Sequence, residues 1–166
     1  MDILVLSDTH GRADRVIEVM RRTRAATVLF LGDGLRDMNV LHEGVLLRAV
    51  RGNCDFFGAD IPETRVENFG TYRVFMTHGH RYGVKYGEEA AIIAAAAADA
   101  DVLLYGHTHR PVLRYLLAGE QVGDTVLKKP LTVFCPGSLG EPHGGKPTFG
   151  TLTVCNSGVL ASHGEL

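Results

Sequence analysis

The sequence predicts an α/β domain, and three features of its 166 residues carry that expectation. Continuous apolar runs such as Ile3-Leu4-Val5-Leu6 and Val102-Leu103-Leu104-Tyr105 read as strands buried on both faces. Segments of helical periodicity are interleaved with such strands up to about residue 105. From Pro111 onward the chain reads as short strands separated by Gly- and Pro-rich turns.

The first strand, Ile3–Leu6, ends in Ser7-Asp8-Thr9-His10-Gly11. A helix is expected from Arg12 to Arg24, with Val16, Ile17, Val19 and Met20 as its apolar stripe. Arg21, Arg22 and Arg24 crowd its last turn, where cations favour the macrodipole, so this basic cluster reads as a solvated helix end. The second strand, Val28–Leu31, ends at Gly32-Asp33-Gly34. A short helix over 36–42 then leads to a third strand, Val45–Val50, ending at Gly52-Asn53-Cys54-Asp55. Thr64–Asn68 and Tyr72–Thr77 flank Phe69-Gly70-Thr71 as a hairpin whose second arm ends at His78-Gly79-His80. Glu88–Ala98 is a helix with acids in its first turn, and its alanines allow close approach to a sheet. The strand Val102–Tyr105 ends at Gly106-His107-Thr108-His109. Candidate late strands are Val112–Leu117, Thr125–Leu127, Leu131–Phe134, Thr148–Val154 and Val159–Ser162. No linker, charge block or repeat divides the chain, so residues 1–166 read as one domain.

Composition narrows the functional classes. Hydrophobic residues at 45% and charged ones at 22% are ordinary for a soluble globular protein. A net charge of −2 and a pI near 6.4 argue against a partner as long and anionic as nucleic acid. Three cysteines, Cys54, Cys135 and Cys155, form no CxxC pair, which argues against a disulfide framework or thiolate zinc site and suits a reducing compartment. Cys135 and Cys155 read as small buried hydrophobes. Polar residues at 2, 8 and 10 interrupt any leader-like run, and no apolar stretch suits a membrane span, so a cytoplasmic location is expected.

The chemistry lies where strands end. Five strand–loop junctions, LVLS–DTH, LFLG–DG, AVRG–NCD, VFMT–HGH and LLYG–HTH, each open with metal-ligand residue types. In open α/β sheets ligand sites collect beyond the carboxyl ends of strands, so five strands lying side by side would converge these loops on one crevice. Turn chemistry explains Asp, Asn and Gly there but not histidine, and five of the eight histidines occupy these loops. Asp8, His10, Asp33, Asn53, His78, His107 and His109 make a mixed donor set of carboxylate, amide and imidazole, suited to Mn²⁺, Fe or Zn²⁺. Seven ligands exceed the needs of one such ion. Two ions sharing a carboxylate would use them, with a hydroxide between the ions as nucleophile and the pair clamping a phosphate.

The ordered set D-x-H, GD, GN, H-x-H after an apolar strand, and GHTH resembles the calcineurin-like metallophosphoesterase family. Size and the GNCD variant are similar to its small bacterial and archaeal phosphodiesterase branch, which also includes the phosphoesterase-fold subunit of retromer. The resemblance spans essentially the whole chain. It implies two facing β-sheets with helices outside, the late strands supplying the second sheet. It also implies that Asp8, His10, Asp33 and His109 hold one metal and Asp33, Asn53, His78 and His107 the other, with Asp33 bridging. Two departures stand out: Cys54 replaces the His that many relatives place near the leaving group, and Cys135-Pro136-Gly137-Ser138 replaces an NPGS segment expected near the site, with Ser138 as its candidate contribution.

The expected activity is hydrolysis of a phosphodiester, or an activated phosphomonoester, with two divalent ions as cofactor: Mn²⁺ first, then Ni²⁺, Fe²⁺ or Zn²⁺. Asn53 and Cys54 are the candidate catalytic residues, and His80 the candidate for lining the pocket. His42, His143 and His163 read as surface residues. The expected partner is a small phosphoester, with no long nucleic acid and no membrane, and homo-oligomerisation is left open. The competing classes are a scaffold of the same fold without turnover and a metal-dependent nuclease.

Overall fold

The computed structural model describes residues 1–166. Its elements are β1 (Asp2–Leu6), α1 (Ala13–Thr23), β2 (Thr27–Phe30), β3 (Leu46–Ala49), β4 (Thr64–Phe69), β5 (Tyr72–Thr77), α2 (Glu89–Ala97), β6 (Val102–Leu104), β7 (Pro111–Leu116), β8 (Gln121–Val122), β9 (Thr125–Val126), β10 (Leu131–Pro136), β11 (Thr148–Cys155) and β12 (Gly158–Glu165). Two five-stranded mixed sheets face one another. The first has the order β12-β11-β1-β2-β3, with β1, β2 and β3 parallel. The second has the order β4-β5-β6-β10-β7, with β5, β6 and β10 parallel.

The apolar runs explain the layering. Side chains alternate across a strand, so a run apolar at every position must bury both faces. In β1, Ile3 and Val5 point between the sheets, while Leu4 and Leu6 point toward α1. Around β6, Val102 and Leu104 point between the sheets, while Leu103 and Tyr105 pack toward α2. Three cores result, and they separate four layers: α1, first sheet, second sheet, α2. Each large aliphatic or aromatic side chain buried in this way contributes about 1.5–3 kcal/mol.

The expected α/β architecture with two facing sheets is present, but strand membership differs in two respects. The five junction strands do not lie side by side: β1, β2 and β3 belong to one sheet, β5 and β6 to the other. The late strands also divide. β7 and β10 join the second sheet, whereas β11 returns antiparallel along β1 and carries β12 to the edge of the first. Gly150 of β11 faces the Phe134 ring of β10, and a Cβ there would lie 2.3 Å from that ring, so the missing side chain lets the sheets close over a large aromatic. Ile17 is exposed, because α1 buries the face of Val16, Val19 and Met20. Cys135 is buried as expected, but Cys155 is exposed at the end of β11. No helix is long and apolar enough to cross a membrane.

The alanines of α2 have the packing role expected of them, since Ala91, Ile92 and Ala95 are buried against the second sheet. Ala95→Leu should overpack this contact and cost about 1–3 kcal/mol. Ala97→Leu, on the exposed side, should stay within about 0.5 kcal/mol. Urea unfolding of both variants measures the difference.

Candidate metal centre

The carboxyl ends of β1, β2, β3, β5 and β6 converge, and the structure brings all seven expected donors into one cluster. Asp8 and His78 are fully buried and Asp33 nearly so, while Asn53 is exposed at the rim. Two groups of ligand atoms lie within coordination reach of one another, Asp8–His10–His109 and Asp33–His78–His107, and a third, His10–Asp33–Cys54, joins them. Asp33 Oδ2 is 3.3 Å from His78 Nε2 and 4.0 Å from His10 Nε2, so it stands between the groups. Asn53 Oδ1 lies 3.1 Å from His78 Nε2.

The backbone holds these residues where few side chains sit comfortably. Asp8, His10, Asp33, His107 and His109 all have positive φ, and they are five of only seven non-glycine residues that do. Such conformations are sparsely populated and persist only where the surroundings over-determine them. Asp8 Oδ2 accepts Ser7 Oγ at 2.6 Å and the His107 N–H at 3.0 Å. Asp33 Oδ1 accepts the Cys54 N–H at 2.7 Å. Gly106 presses close to Asp8, and a Cβ there would lie 2.0 Å from Ser7 Oγ and 2.9 Å from Asp8 Oδ2.

The residues that position this set are the ones sequence reasoning missed. Asp55 accepts four backbone N–H groups: Asp33 and Gly52 through Oδ2, Gly34 and Leu35 through Oδ1, all within 2.9 Å. It ties the loop after β2 to the loop after β3. Asp37 does the same for the first loop, accepting Thr9 Oγ1 at 2.5 Å and the Gly11 N–H at 2.9 Å. The preference of Asp for bonding nearby backbone in turns was the available signal for Asp55. Nothing local marked Asp37. Ser138 does lie near the site, as expected of its loop, but its buried hydroxyl donates to the Asp8 carbonyl at 2.8 Å and accepts the Glu141 N–H at 2.7 Å. It holds the Asp8 loop.

Electrostatics bear on whether cations fit here. His78 Nδ1 is 2.8 Å from the Leu31 carbonyl and His109 Nδ1 is 2.6 Å from that of Glu141. A carbonyl cannot donate, so each Nδ1 carries the proton and each neutral ring turns an Nε2 lone pair into the cluster. The His78 lone pair then meets two acceptors, Asp33 Oδ2 and Asn53 Oδ1, and lies 3.1 Å from His107 Nδ1. That of His109 meets His10 Nε2 at 3.3 Å and Asp8 Oδ1 at 3.2 Å, and this buried oxygen receives no hydrogen bond. Acceptors facing acceptors require positive charge between them, so the donor set fits divalent cations. The outward Nδ1–H···O=C bonds are those that orient imidazole ligands.

Without cations, protons meet that need. Burial opposes the charged form of His78, but Asp33 and Asp8 outweigh it and hold its pKa above the ordinary value. The Asp8 carboxylate raises His109. Burial and the charge of His78 push His107 down to about 4. For Asp33, the His78 imidazole overcomes burial and holds the carboxyl well below the usual range. His80 sits 5.4 Å from the His78 ring, and its pKa is lowered by burial and by His78. Burial and Asp33 push the Cys54 thiol up to about 11. His143 is exposed but packs 5.3 Å from the His109 ring, and His163 bonds the Cys135 carbonyl at 2.8 Å.

Comparisons agree with this architecture. A model of the calcineurin-like phosphoesterase superfamily domain matches residues 1–157. The Escherichia coli phosphodiesterase YfcE is 32% identical over 92% of this chain and 87% of its own length. A predicted phosphoesterase from Streptococcus pneumoniae superposes with a TM-score of 0.77 at 29% identity, covering 99% of this chain and 88% of that one. Vps29 from Entamoeba histolytica, solved with Zn²⁺, shares the fold at a TM-score of 0.70 and 22% identity, covering 99% of each chain.

Ion binding at this cluster should displace protons, because the raised pKa values of His78 and His109 give the metal-free protein protons that coordination must expel. Calorimetric titration with Mn²⁺ in buffers of different ionisation enthalpy should show more protons released at pH 6.5 than at pH 8.5 (chosen conditions, roughly astride the imidazole range). Apparent affinity should fall as pH drops. Equal release at both values would contradict the assignment. With these features in place, the chain belongs to the calcineurin-like phosphoesterase superfamily.

Proposed function

We propose that the chain, as one domain over residues 1–166, hydrolyses phosphodiesters or activated phosphomonoesters at a two-ion centre. Mn²⁺ is the first candidate, with Ni²⁺, Fe²⁺ or Zn²⁺ as alternatives. Asp8, His10, Asp33 and His109 would hold one ion, and Asp33, Asn53, His78 and His107 the other. The observation that carries this reading is the facing of acceptors described above, arranged as two groups with Asp33 between them. The name of YfcE supports the diester class. When bound, such a pair of ions makes a coordinated water nucleophilic at neutral pH and sets positive charge against the phosphoryl oxygens.

The chain's own groups divide the remaining work. His78 and His109 are oriented by their carbonyl bonds. Asn53 turns its carbonyl toward His78, while its amide donates to Cys54 Sγ at 3.2 Å, leaving a second N–H at the exposed rim for a phosphoryl oxygen. Cys54 takes the leaving-group side. A thiol pushed up to about 11 is a poor proton donor, so substrates whose leaving group needs little protonation are favoured. Three unpaired cysteines suit the reducing cytoplasm.

Two outcomes test the reading. Metal-free protein titrated with Mn²⁺ should approach two ions per chain, with Asp33→Asn losing both and His10→Ala mainly one; saturation at one ion or none contradicts it. Hydrolysis of an aryl phosphodiester should vanish with chelator, return with Mn²⁺, and fall at least about a hundredfold in His78→Ala, since lost charge stabilisation is worth several kcal/mol and about 1.4 kcal/mol is tenfold in rate. Metal binding without any ester hydrolysis would instead favour a scaffold of the same fold.

The leaving-group argument has its own measurement. The ratio of kcat/KM for a nitrophenyl ester to that for an alkyl ester should be high, and Cys54→His should lower it. An unmodified chain without that preference would mean another residue is the acid, with His80 the first suspect.

A further inference from the structure

Beside the cluster lies a cavity of about 320 Å³ whose lining includes His10, Asp33 and Cys54. Arg36, Phe56 and Phe57 line the same cavity. The two phenylalanines are adjacent in sequence, yet Phe56 is 88% exposed and Phe57 64%. Folding gains almost nothing from aromatic surface left in water, so neither ring is explained by the core. Neither is the pair a floppy loop tip. Asp55 immediately precedes it and anchors the backbone to Asp33, Gly34, Leu35 and Gly52 through four hydrogen bonds. The Arg36 guanidinium lies 3.8 Å from the Phe57 ring centroid, a cation–π contact that holds the ring.

We infer that Phe56, Phe57 and Arg36 form a specificity wall that receives a planar aromatic group, aryl or nucleobase, esterified to the phosphoryl group bound at the metal cluster. Three features point to this occupant. The cavity is continuous with the candidate centre, so a group seated on the wall remains attached to a phosphoryl group over His10 and Asp33. Its volume is at the small end of the range for ligand sites, enough for one ring system. Exposed aromatic faces with a guanidinium beside them stack on planar π-systems and tolerate different ring chemistries. The inference rests on the phosphoesterase reading and names the substrate class within it.

The test uses binding, so that it does not depend on turnover. Zn²⁺-loaded protein, diamagnetic and so open to NMR, is titrated with phenylphosphonate, methylphosphonate and thymidine monophosphate, and ligand-to-Phe ring contacts are followed. The affinity ratio of phenyl- to methylphosphonate should exceed unity and fall about tenfold or more in the Phe56→Ala/Phe57→Ala double variant, in line with the loss of aromatic stacking. Both rings are exposed, so folding should tolerate their loss, and unchanged circular dichroism verifies it. A larger loss for the nucleotide than for phenylphosphonate assigns a nucleobase, and the reverse a simple aryl group. A ratio unaffected by the double variant, in protein that binds Mn²⁺ and hydrolyses esters, overturns the wall alone. Protein that neither binds metal nor hydrolyses esters removes the reading beneath it, and the wall with it. A dimer that the double variant converts to monomer would show the rings to be a contact between copies and would also overturn the inference.

Discussion

At the floor of the site, lone pairs face lone pairs. His78 Nε2 confronts Asp33 and Asn53, while His109 Nε2 confronts the unpartnered Asp8 Oδ1. In a seam this deeply buried, uncompensated charge and unpaired acceptors are costly. Positive charge must enter, as protons or as ions, and the surrounding structure is organised around keeping that confrontation in place. Five residues are held at positive φ to aim their side chains inward. Backbone N–H groups from neighbouring loops are spent on the carboxylate oxygens that point away from it.

The two-sheet arrangement supplies the means. Because β1, β2 and β3 approach from one sheet and β5 and β6 from the other, donors reach the seam from opposite sides, which a single sheet could not arrange. The halves are then stitched where they meet. His78, beyond β5, bonds the Leu31 carbonyl at the end of β2, and the His107 N–H, beyond β6, bonds Asp8 beyond β1. The same bonds that set the ligand geometry therefore also set the spacing of the sheets, and binding a cation there would reinforce the packing of the central core.

Much of this was legible in the chain. Continuous apolar runs ending in Asp, Asn or His identified the strands and the donors together, because full burial and a polar terminus are both local properties. Sheet membership was not legible in the same way. Nothing within residues 148–165 distinguishes a strand that pairs with β10 from one that pairs with β1; the pairing of β11 with β1 joins residues far apart in sequence, such as Asp2 and Thr153. Of the short pair, β9 was legible as Thr125–Leu127, but β8 escaped because two residues leave no periodicity to read. Donors announce themselves by residue type. The residues that orient them announce themselves less: Asp37 looks like an ordinary turn residue until Thr9 is seen beside it.

Floor and rim obey different constraints. Asp8, Asp33 and His78 are buried and each is held by several contacts, so a change there disturbs sheet spacing as well as chemistry. Asn53, Cys54, Phe56 and Phe57 stand exposed on a loop whose backbone is fixed by Asp55 and by the Cys54 N–H bond to Asp33. Their side chains can differ without moving that backbone. A thiol at position 54 and two uncovered aromatic rings are thus choices the fold permits and does not require. The floor holds the donors of the proposed phosphoesterase centre, and under that proposal the rim is where this chain has room to select the leaving group and the group that remains.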